Sequence, residues 1–470
     1  MKWVALVFLI AAGVVRQPSP VVLTSSGYIR GAVSHNGQFI EYFGIPYATV
    51  NETNRFQAPL PAPTWNGILN ALNENTWCPQ SSVGPIVLGE PNCLKLNIYS
   101  PIQYTKLLPV MVYIHGGCFF GGTGAPYLYG AAKGLFHKAI LQSGSSLAPW
   151  ALQHDPVKAA MSLVRKLGYS AKDPREIYSI LSKKTTKEII TTISNYEDKF
   201  CVAETDIFVP CIERHIEGIE PIITDYPANV ILSGNYTKVP MIIGYTNHEG
   251  IYFVSADYGT SLRNNTKPID PMKALQRDLQ FPSETDKNCT VDKIRRHYFT
   301  PSKEEMIMDM VNLYSDLHFK FPLVLESELY SRTTDQPIYY YQFQYSGLIN
   351  MPKVISGFGL SNGASHGDEL FYLFKPHSFP LPHRFLEDKM IKRMVTMWTN
   401  FAKYSDPTPY TSRLLPFKWL PSKRFNPTSL VIDTEISTAP MWDEHPVQLW
   451  NDTYNKYRRK DYGFKQFQHY

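Results

Sequence analysis

The stretch from Val110 to Phe119, VMVYIHGGCF, decides the fold class of this chain. Its first half, Val110 to Ile114, is a compact apolar run, which predicts a short buried strand. The run leads directly into His115-Gly116-Gly117-Cys118, where glycines let the backbone approach a ligand closely. A turn of this kind after a strand can aim backbone N–H groups at a carbonyl oxygen that becomes negative during ester hydrolysis. An ordinary tight turn has the same pattern, so the stretch needs support from the rest of the chain.

Strand-like runs alternate with helical stretches on both sides of this turn. The runs that predict strands are residues 21–23, 28–33, 38–45, 94–99, 139–141, 239–244 and 339–345. Two stretches predict helices: residues 155–195, with Leu163, Val164, Leu167 and Ile177 as core positions, and residues 389–401, with Met390, Met394 and Trp398 on one face. Such alternation favours a sheet-centred α/β fold.

Composition narrows the possible partners and cofactors. The 470 residues are 44% hydrophobic, which is enough to bury a large core, and the net charge of +5 is spread along the chain without a long basic block. We therefore expect neither nucleic acid nor an anionic membrane as a partner. No His, Cys or carboxylate cluster has the spacing of metal ligands, so we expect no metal and no other cofactor.

The first 16 residues predict a secretory signal peptide. Lys2 is followed by an apolar run that is too short to span a membrane, and small residues at 11–13 offer a cleavage site. The remaining residues, 17–470, are predicted to form one domain. No later apolar run is long enough for a transmembrane helix, and the last residues are polar, so we expect a secreted protein without a membrane anchor.

An oxidising compartment changes how cysteines and asparagines are interpreted. The close spacing of Cys78 and Cys93, and of Cys201 and Cys211, predicts two disulfides. The two remaining cysteines, Cys118 and Cys289, are not expected to pair. Glycosylation acceptor sequences predict modified asparagines at Asn51, Asn235, Asn264, Asn288 and Asn451.

Several motifs, in this order, resemble type-B carboxylesterases and cholinesterases, and the insect-type secreted esterases best. Cys78, the segment GEPNCLKLNIY at 89–99 and the HGG turn come first. Residues 134–145, 240–250, 363–374 and 398–407 continue the resemblance over nearly the whole mature chain. Pro91 and Asn92 depart from the Glu and Asp usual in the second motif, and Cys118 stands where the family has Gly or Ala. The resemblance implies an α/β-hydrolase fold with a central, mostly parallel sheet.

The resemblance also implies roles for individual residues. Glu249 corresponds to the acid of a Ser-Glu-His triad, His366 to its base, and Gly116, Gly117 and Cys118 to the oxyanion hole. A carboxylate orients the imidazole, and the imidazole takes the proton of the serine. Taken without the family, the residues themselves favour the other interpretations: Glu249 as a charge at a helix N-terminus and His366 as a surface residue.

The nucleophilic serine is the part that the sequence lacks. No G-x-S-x-G motif lies between Gly117 and Glu249. The one match, around Ser361, follows the acid and has no strand-to-helix context, so we do not expect it to be catalytic. Near Gly130 and Lys133 the sequence passes from one part of the family pattern to another, with roughly a hundred residues missing. The missing block would hold about two central strands, the nucleophile elbow and its helix.

Two hypotheses about function follow. In the first, the chain belongs to a carboxylic ester hydrolase that acts on small hydrophobic esters, and it is inactive as it stands because the serine is absent. A skipped exon, a faulty gene model or a degenerate copy would each produce such a chain. In the second, the chain is a non-catalytic, secreted ligand-binding or interaction protein derived from an esterase. The sequence predicts no oligomeric state.

Overall fold

The structure is a computed structural model of the chain. It describes residues 16–50, 55–74, 77–81, 86–119, 121, 136–194, 208–258, 275, 278–299, 306–374, 384–422, 427–441 and 445–459. The predicted signal peptide, apart from Arg16, and the junction at residues 130–133 lie outside these ranges. The chain forms two compact units, one from residues 1–128 and 157–197 and the other from residues 129–156 and 198–470. A single domain over residues 17–470 stays a prediction.

The first unit contains small sheets and three helices. Its strands are β1 (Val22–Thr24), β2 (Gly27–Arg30), β3 (Ala32–Val33), β4 (Phe39–Pro46), β5 (Ile68–Asn70), β6 (Gln80–Ser81), β7 (Val87–Leu88) and β8 (Lys95–Pro101). They pair in the orders β1-β2-β5, β3-β4-β8 and β6-β7. The helices are α1 (Pro156–Lys166), α2 (Pro174–Leu181) and α3 (Thr186–Ser194), which confirms the helical prediction. Leu163, Val164 and Ile177 are buried in one apolar cluster, with Leu167 packed against it.

The predicted buried strand at Val110 to Ile114 is wrong. These residues form no strand, and the side chains are exposed, with Val110 at 87% and Val112 at 77%. An apolar strand of a parallel sheet is buried only when neighbouring strands cover it. The described residues pair no strand with this run, so its apolar side chains face solvent.

The second unit is built on a five-stranded mixed sheet. The strands β9 (Ala139–Gln142), β10 (Met241–Thr246), β11 (Ile338–Phe343) and β12 (Thr428–Ile432) are parallel neighbours, and β13 (Ser437–Pro440) pairs antiparallel with β12. Every residue of β10 is buried, whereas all four residues of β9 are only half-buried. Because β9 is bonded to β10 alone among the described strands, it forms the edge of this sheet.

Helices surround this sheet in the second unit. Their bounds are α4 (Pro227–Leu232), α5 (Gly250–Tyr258), α6 (Glu284–Tyr298), α7 (Met306–Ser315), α8 (Phe321–Thr333), α9 (Met351–Ile355), α10 (Leu370–Leu373), α11 (Asp388–Tyr404) and α12 (His445–Tyr457), with a 3-10 turn at Arg384–Glu387. A π-helical turn, Asp316–Lys320, joins α7 to α8. Met390, Met394 and Trp398 of α11 lie in the main core cluster, which confirms the predicted apolar face. None of the described helices is both long and apolar enough to cross a membrane.

The cysteines agree with the predictions in part. Cys78 and Cys93 form the predicted disulfide. Cys118 and Cys289 are free thiols, as expected. Cys211 is also a free thiol in the structure, so the predicted bond to Cys201 is not formed there; Cys201 itself lies outside the described residues.

The predicted glycosylation sites differ in exposure. Asn235 and Asn288 are exposed and stay predictions, while Asn51 and Asn264 lie outside the described residues. Asn451 is only 4% exposed, inside α12, and leaves no room for a glycan, so the prediction is wrong at this position.

Candidate active site

Glu249 is fully buried and has three hydrogen-bond donors. It follows β10 by three residues and directly precedes α5, so the end of a parallel strand fixes its place. One carboxylate oxygen, Oε1, accepts from the Ser143 hydroxyl at 2.5 Å and from the Thr246 backbone N–H at 2.6 Å. The other, Oε2, lies 2.6 Å from Nδ1 of His366. The structure thus brings together the predicted acid and the predicted base.

His366 is held as an oriented, partly accessible imidazole. An ionised carboxylate only accepts hydrogen bonds, so the contact with Glu249 places a proton on Nδ1 and leaves Nε2 to exchange protons. The side chain is 27% exposed. Burial by itself would lower the pKa of His366, but the charge and hydrogen bond of Glu249, with Glu369 and Asp368 nearby, raise it above 6.5. A base of this kind binds a proton readily near neutral pH.

Two loops carry this pair and are hydrogen-bonded to each other. The acid loop, Asn247 to Glu249, and the base loop, Asn362 to His366, form a parallel bridge between His248 and Ser365. The backbone N–H of His248 donates to the Ala364 carbonyl at 3.0 Å, and the Ala364 N–H donates to Asn247 Oδ1 at 2.9 Å. These contacts fix the separation of acid and base through the backbone.

Gly363 is required where the two loops meet. Its φ is +81°, a conformation that residues with a Cβ adopt only with strain. A Cβ at this position would lie 2.6 Å from Asn247 Nδ2 and from His248 Nδ1. The glycine therefore allows the base loop to approach the acid loop closely.

Two further carboxyl groups lie buried beside the pair. Asp368 accepts from the Ser365 N–H at 2.7 Å, and burial raises its pKa to about 7. Glu369 accepts from Gln142 Nε2 at 3.2 Å, and burial, followed by the charge of Glu249, raises its pKa to about 8. Asp368 makes no hydrogen bond to His366 in the described structure, so it acts on the base only through its charge.

Aromatic rings surround the exposed side of the base. The ring of His366 lies 5.2 Å from Phe319, 5.8 Å from Phe253 and 6.0 Å from Tyr252, measured between centroids. Phe319 comes from the π-helical turn, an irregularity that is common at functional sites. The helix before this turn fixes α5, because Ser315 Oγ accepts from the Gly250 N–H at 2.9 Å. Phe253 and Phe319 are themselves only 2% exposed, so the ring of His366 packs against buried aromatic side chains.

Sequence reasoning missed Ser143 and Glu369. Ser143 lies in the segment QSGS, which predicted only a structural role, yet its positive φ of +52° and its bond to Glu249 mark it as part of the site. Glu369 is three residues after His366, and this spacing was the only feature of the sequence that could have indicated its place in the site.

The predicted oxyanion residues belong to the first unit. Gly117, Cys118 and Phe119 have φ values of +132°, +50° and +62°, so the turn carries backbone strain at two residues that are not glycine. Burial raises the pKa of the Cys118 thiol to about 11, which keeps it protonated. The role of Gly116, Gly117 and Cys118 as an oxyanion hole stays a prediction.

No serine in the described part of the chain hydrogen-bonds to His366. The hydroxyl of Ser361 donates instead to the Phe358 carbonyl at 2.7 Å, as expected for a residue of a turn. The described residues also contain no group of three or more His, Cys, Asp or Glu side chains that could hold a metal ion.

Comparisons with known proteins agree with this geometry. The family model of the carboxylesterase family matches residues 18–131 and 127–450, in two segments that meet near the predicted junction. Esterase FE4 of Myzus persicae is 24% identical over 516 aligned positions, which include 89% of this chain and 89% of that protein. Juvenile hormone esterase of Tribolium castaneum is 24% identical over 498 positions, covering 83% and 84%.

A solved structure shows the fold. The crystal structure of juvenile hormone esterase from Manduca sexta, with OTFP covalently attached, matches this chain with a TM-score of 0.75 at 22% identity. The match covers 93% of this chain and 99% of that one. The predicted α/β-hydrolase fold is therefore confirmed, and with the family match over nearly its whole length the chain belongs to the carboxylesterase family.

Proposed function

We propose that this chain carries the acid and base of a carboxylic ester hydrolase, Glu249 and His366, but lacks the serine on which they act. The contact of 2.6 Å between Glu249 Oε2 and His366 Nδ1 carries the proposal. It leaves Nε2 on the partly exposed side of the ring, where the hydroxyl of a nucleophile belongs in a Ser-Glu-His triad.

The roles follow from the chemistry of acyl transfer. The imidazole takes the proton of the attacking hydroxyl and returns it to the leaving alcohol, while Glu249 stabilises the imidazolium. The buried carboxylate is kept in place by Ser143 and Thr246, so it does not need to reorganise when the charge develops. Without a serine, the remaining groups provide only a small residual rate over water.

Three observations support the loss of a block near residues 130–133. The family match breaks into segments that meet at residues 127–131. Since 89% of 470 residues is about 418, about 98 of the 516 positions aligned with esterase FE4 have no residue of this chain opposite them. The exposed run Val110 to Ile114 and the half-buried edge strand β9 are what loss of intervening strands would leave.

The substrate class is inferred from the surroundings of the base. Phe253, Phe319 and Tyr252 give His366 apolar surroundings, which suit the acyl or alcohol part of a small hydrophobic ester. The signal-like N-terminus, the Cys78–Cys93 disulfide and the exposed Asn235 and Asn288 fit a secreted glycoprotein.

The test compares this chain with a restored one. We expect purified protein to hydrolyse p-nitrophenyl acetate no faster than its His366→Ala variant. Insertion of the strand–elbow–helix block of a related esterase between Gly130 and Lys133 should bring hydrolysis that His366→Ala abolishes. Hydrolysis by the unmodified chain that depends on His366 and on a serine would contradict the proposal.

A non-catalytic, ligand-binding role is the second candidate, because the apolar surroundings of His366 also suit the binding of an apolar ester without its cleavage. The genomic sequence between the codons for Gly130 and Lys133 separates the two. An in-frame exon encoding a G-x-S-x-G elbow supports the hydrolase, whereas its absence supports the binding protein.

A further inference from the structure

Lys353 is a buried cation beside the base loop. It lies in α9 and is only 1% exposed. A buried ammonium group is costly unless all of its donors are satisfied. Here Nζ donates to Ser346 Oγ at 2.6 Å, to the Ser361 carbonyl at 2.9 Å and to the Gly363 carbonyl at 2.6 Å. All three of its hydrogens are therefore used.

Two of these acceptors are backbone groups of the turn that leads into His366. Ser361 and Gly363 precede the base by five and three residues, so the ammonium group ties this turn to α9. The backbone N–H of Lys353 also donates to Asp368 Oδ1 at 3.2 Å, two residues after His366. One residue thus holds the base loop on both sides of the imidazole.

We propose that Lys353 is a positioning residue for His366, and that its ammonium group fixes the turn from Ser361 to Gly363 so that the imidazole meets Glu249. This inference rests on the proposed role of His366 as the base. Lys353 hydrogen-bonds to neither His366 nor Glu249 in the described structure, so its effect passes through the loop backbone. The cost of burying the charge is offset by the three hydrogen bonds of Nζ.

The test is a histidine titration by NMR of the full-length protein with 13C-labelled histidine, comparing wild type with Lys353→Met. His366→Gln and His248→Gln variants assign the two signals. If the loop relaxes, Nδ1 moves away from the Glu249 charge that raises the pKa of His366, so that pKa should fall. Burial and the Lys353 charge lower the pKa of His248, whereas a hydrogen bond to the Asn362 carbonyl, in the same turn, raises it. Its shift in the variant therefore has no fixed sign, and the His366 signal is the one that decides.

A fall of the pKa of His366 separates positioning from other roles. Loss of a positive charge alone can only raise the pKa of a nearby histidine. The groups that face His366, namely Glu249, Glu369 and Asp368, all remain in the variant. A rise of the pKa of His366 would mean a charge effect, and a lower melting temperature with an unchanged pKa of His366 would mean a purely structural role; either result overturns the proposal.

Two further variants keep the test decisive. Lys392→Met, on the exposed face of α11, changes the same residue type and should shift the pKa of neither histidine.

Ser346→Ala removes one acceptor at an exposed position and keeps the charge, so it provides the result if Lys353→Met does not fold. We expect a smaller fall of the pKa of His366, and no movement of His366 would overturn the proposal. Serine labelling tests the proposed function separately.

Discussion

The hydroxyl of Ser143 lies 2.5 Å from Oε1 of Glu249, although 106 residues separate the two along the chain. Ser143 directly follows β9, the edge of the sheet, and Glu249 follows β10, so the pairing of two parallel strands creates the contact. Because this bond uses Oε1, Oε2 remains available to His366. Ser143 and His366 therefore contact different oxygens of the Glu249 carboxylate. Glu249 is therefore held in place by a residue that directly follows the edge strand β9.

Ser143→Ala should destabilise the second unit by about 1.5–3 kcal/mol, because a hydrogen bond to a buried carboxylate is lost. Ser327→Ala is the control: its buried hydroxyl donates to the neutral Leu323 carbonyl at 2.6 Å, and its loss should cost about 0.5–1.5 kcal/mol. Urea unfolding measures both. Equal losses of unfolding free energy in the two variants would show that the Ser143 bond to Glu249 is no stronger than a bond to a neutral acceptor.

Gly363→Ala should destabilise the chain beyond the strain of a positive φ. Gly67 has the same φ of +81° and open space where a Cβ would point, with nothing within 4 Å, so Gly67→Ala reports strain alone, about 1–2 kcal/mol. At Gly363 the Cβ also meets Asn247 and His248, which adds about 1–3 kcal/mol. Thermal unfolding compares the two, and a loss no larger than in Gly67→Ala would argue against close contact of the loops.

Glu369 and His366 should each make stability fall as the pH rises from about 5 to 8, against the opposite trend below pH 6.5 from the buried His318, whose pKa is lowered to about 3. The pKa of Glu369 is raised from 4.5 to about 8, so its stabilising contribution is complete below pH 4.5 and is lost as the pH rises through 8. His366 acts in the same direction, complete below pH 6.5 and lost above its raised pKa. Glu369→Gln should flatten this dependence, whereas Glu188→Gln should not, because the pKa of Glu188 is lowered. Urea unfolding across this pH range measures the dependence. The account would be refuted if the unfolding free energy of Glu369→Gln changed with pH as steeply as that of the wild type.

Val112→Lys should change the free energy of unfolding by no more than about 0.5 kcal/mol, because the side chain is exposed. Ile243→Lys, the same type of change in the buried strand β10, should prevent folding. Secretion yield and melting temperature compare them. A loss at Val112 as severe as that at Ile243 would show that residues 110–114 form a buried strand after all.

Local patterns predicted much of the second unit. The apolar face of α11 and the strand β9 were predicted, because periodicity and short apolar runs specify them within a few residues. The roles of Glu249 and His366 came from the resemblance to the family and stay predictions. The exposure of Val110 to Ile114 was not predicted, because an apolar run does not show whether other elements of the chain pack against it. Ser143 and Glu369 were missed because their contacts depend on segments more than a hundred residues away.

Covalent labelling of the purified chain with a fluorophosphonate tests the central claim most directly, since this reagent reacts with a serine activated by a histidine. We expect the intact mass to stay unchanged, with no peptide modified at Ser361 or at any serine from 143 to 146. The same reagent should add one equivalent to a full-length esterase of the family in parallel. One equivalent on a serine of this chain, lost in His366→Ala, would contradict the account.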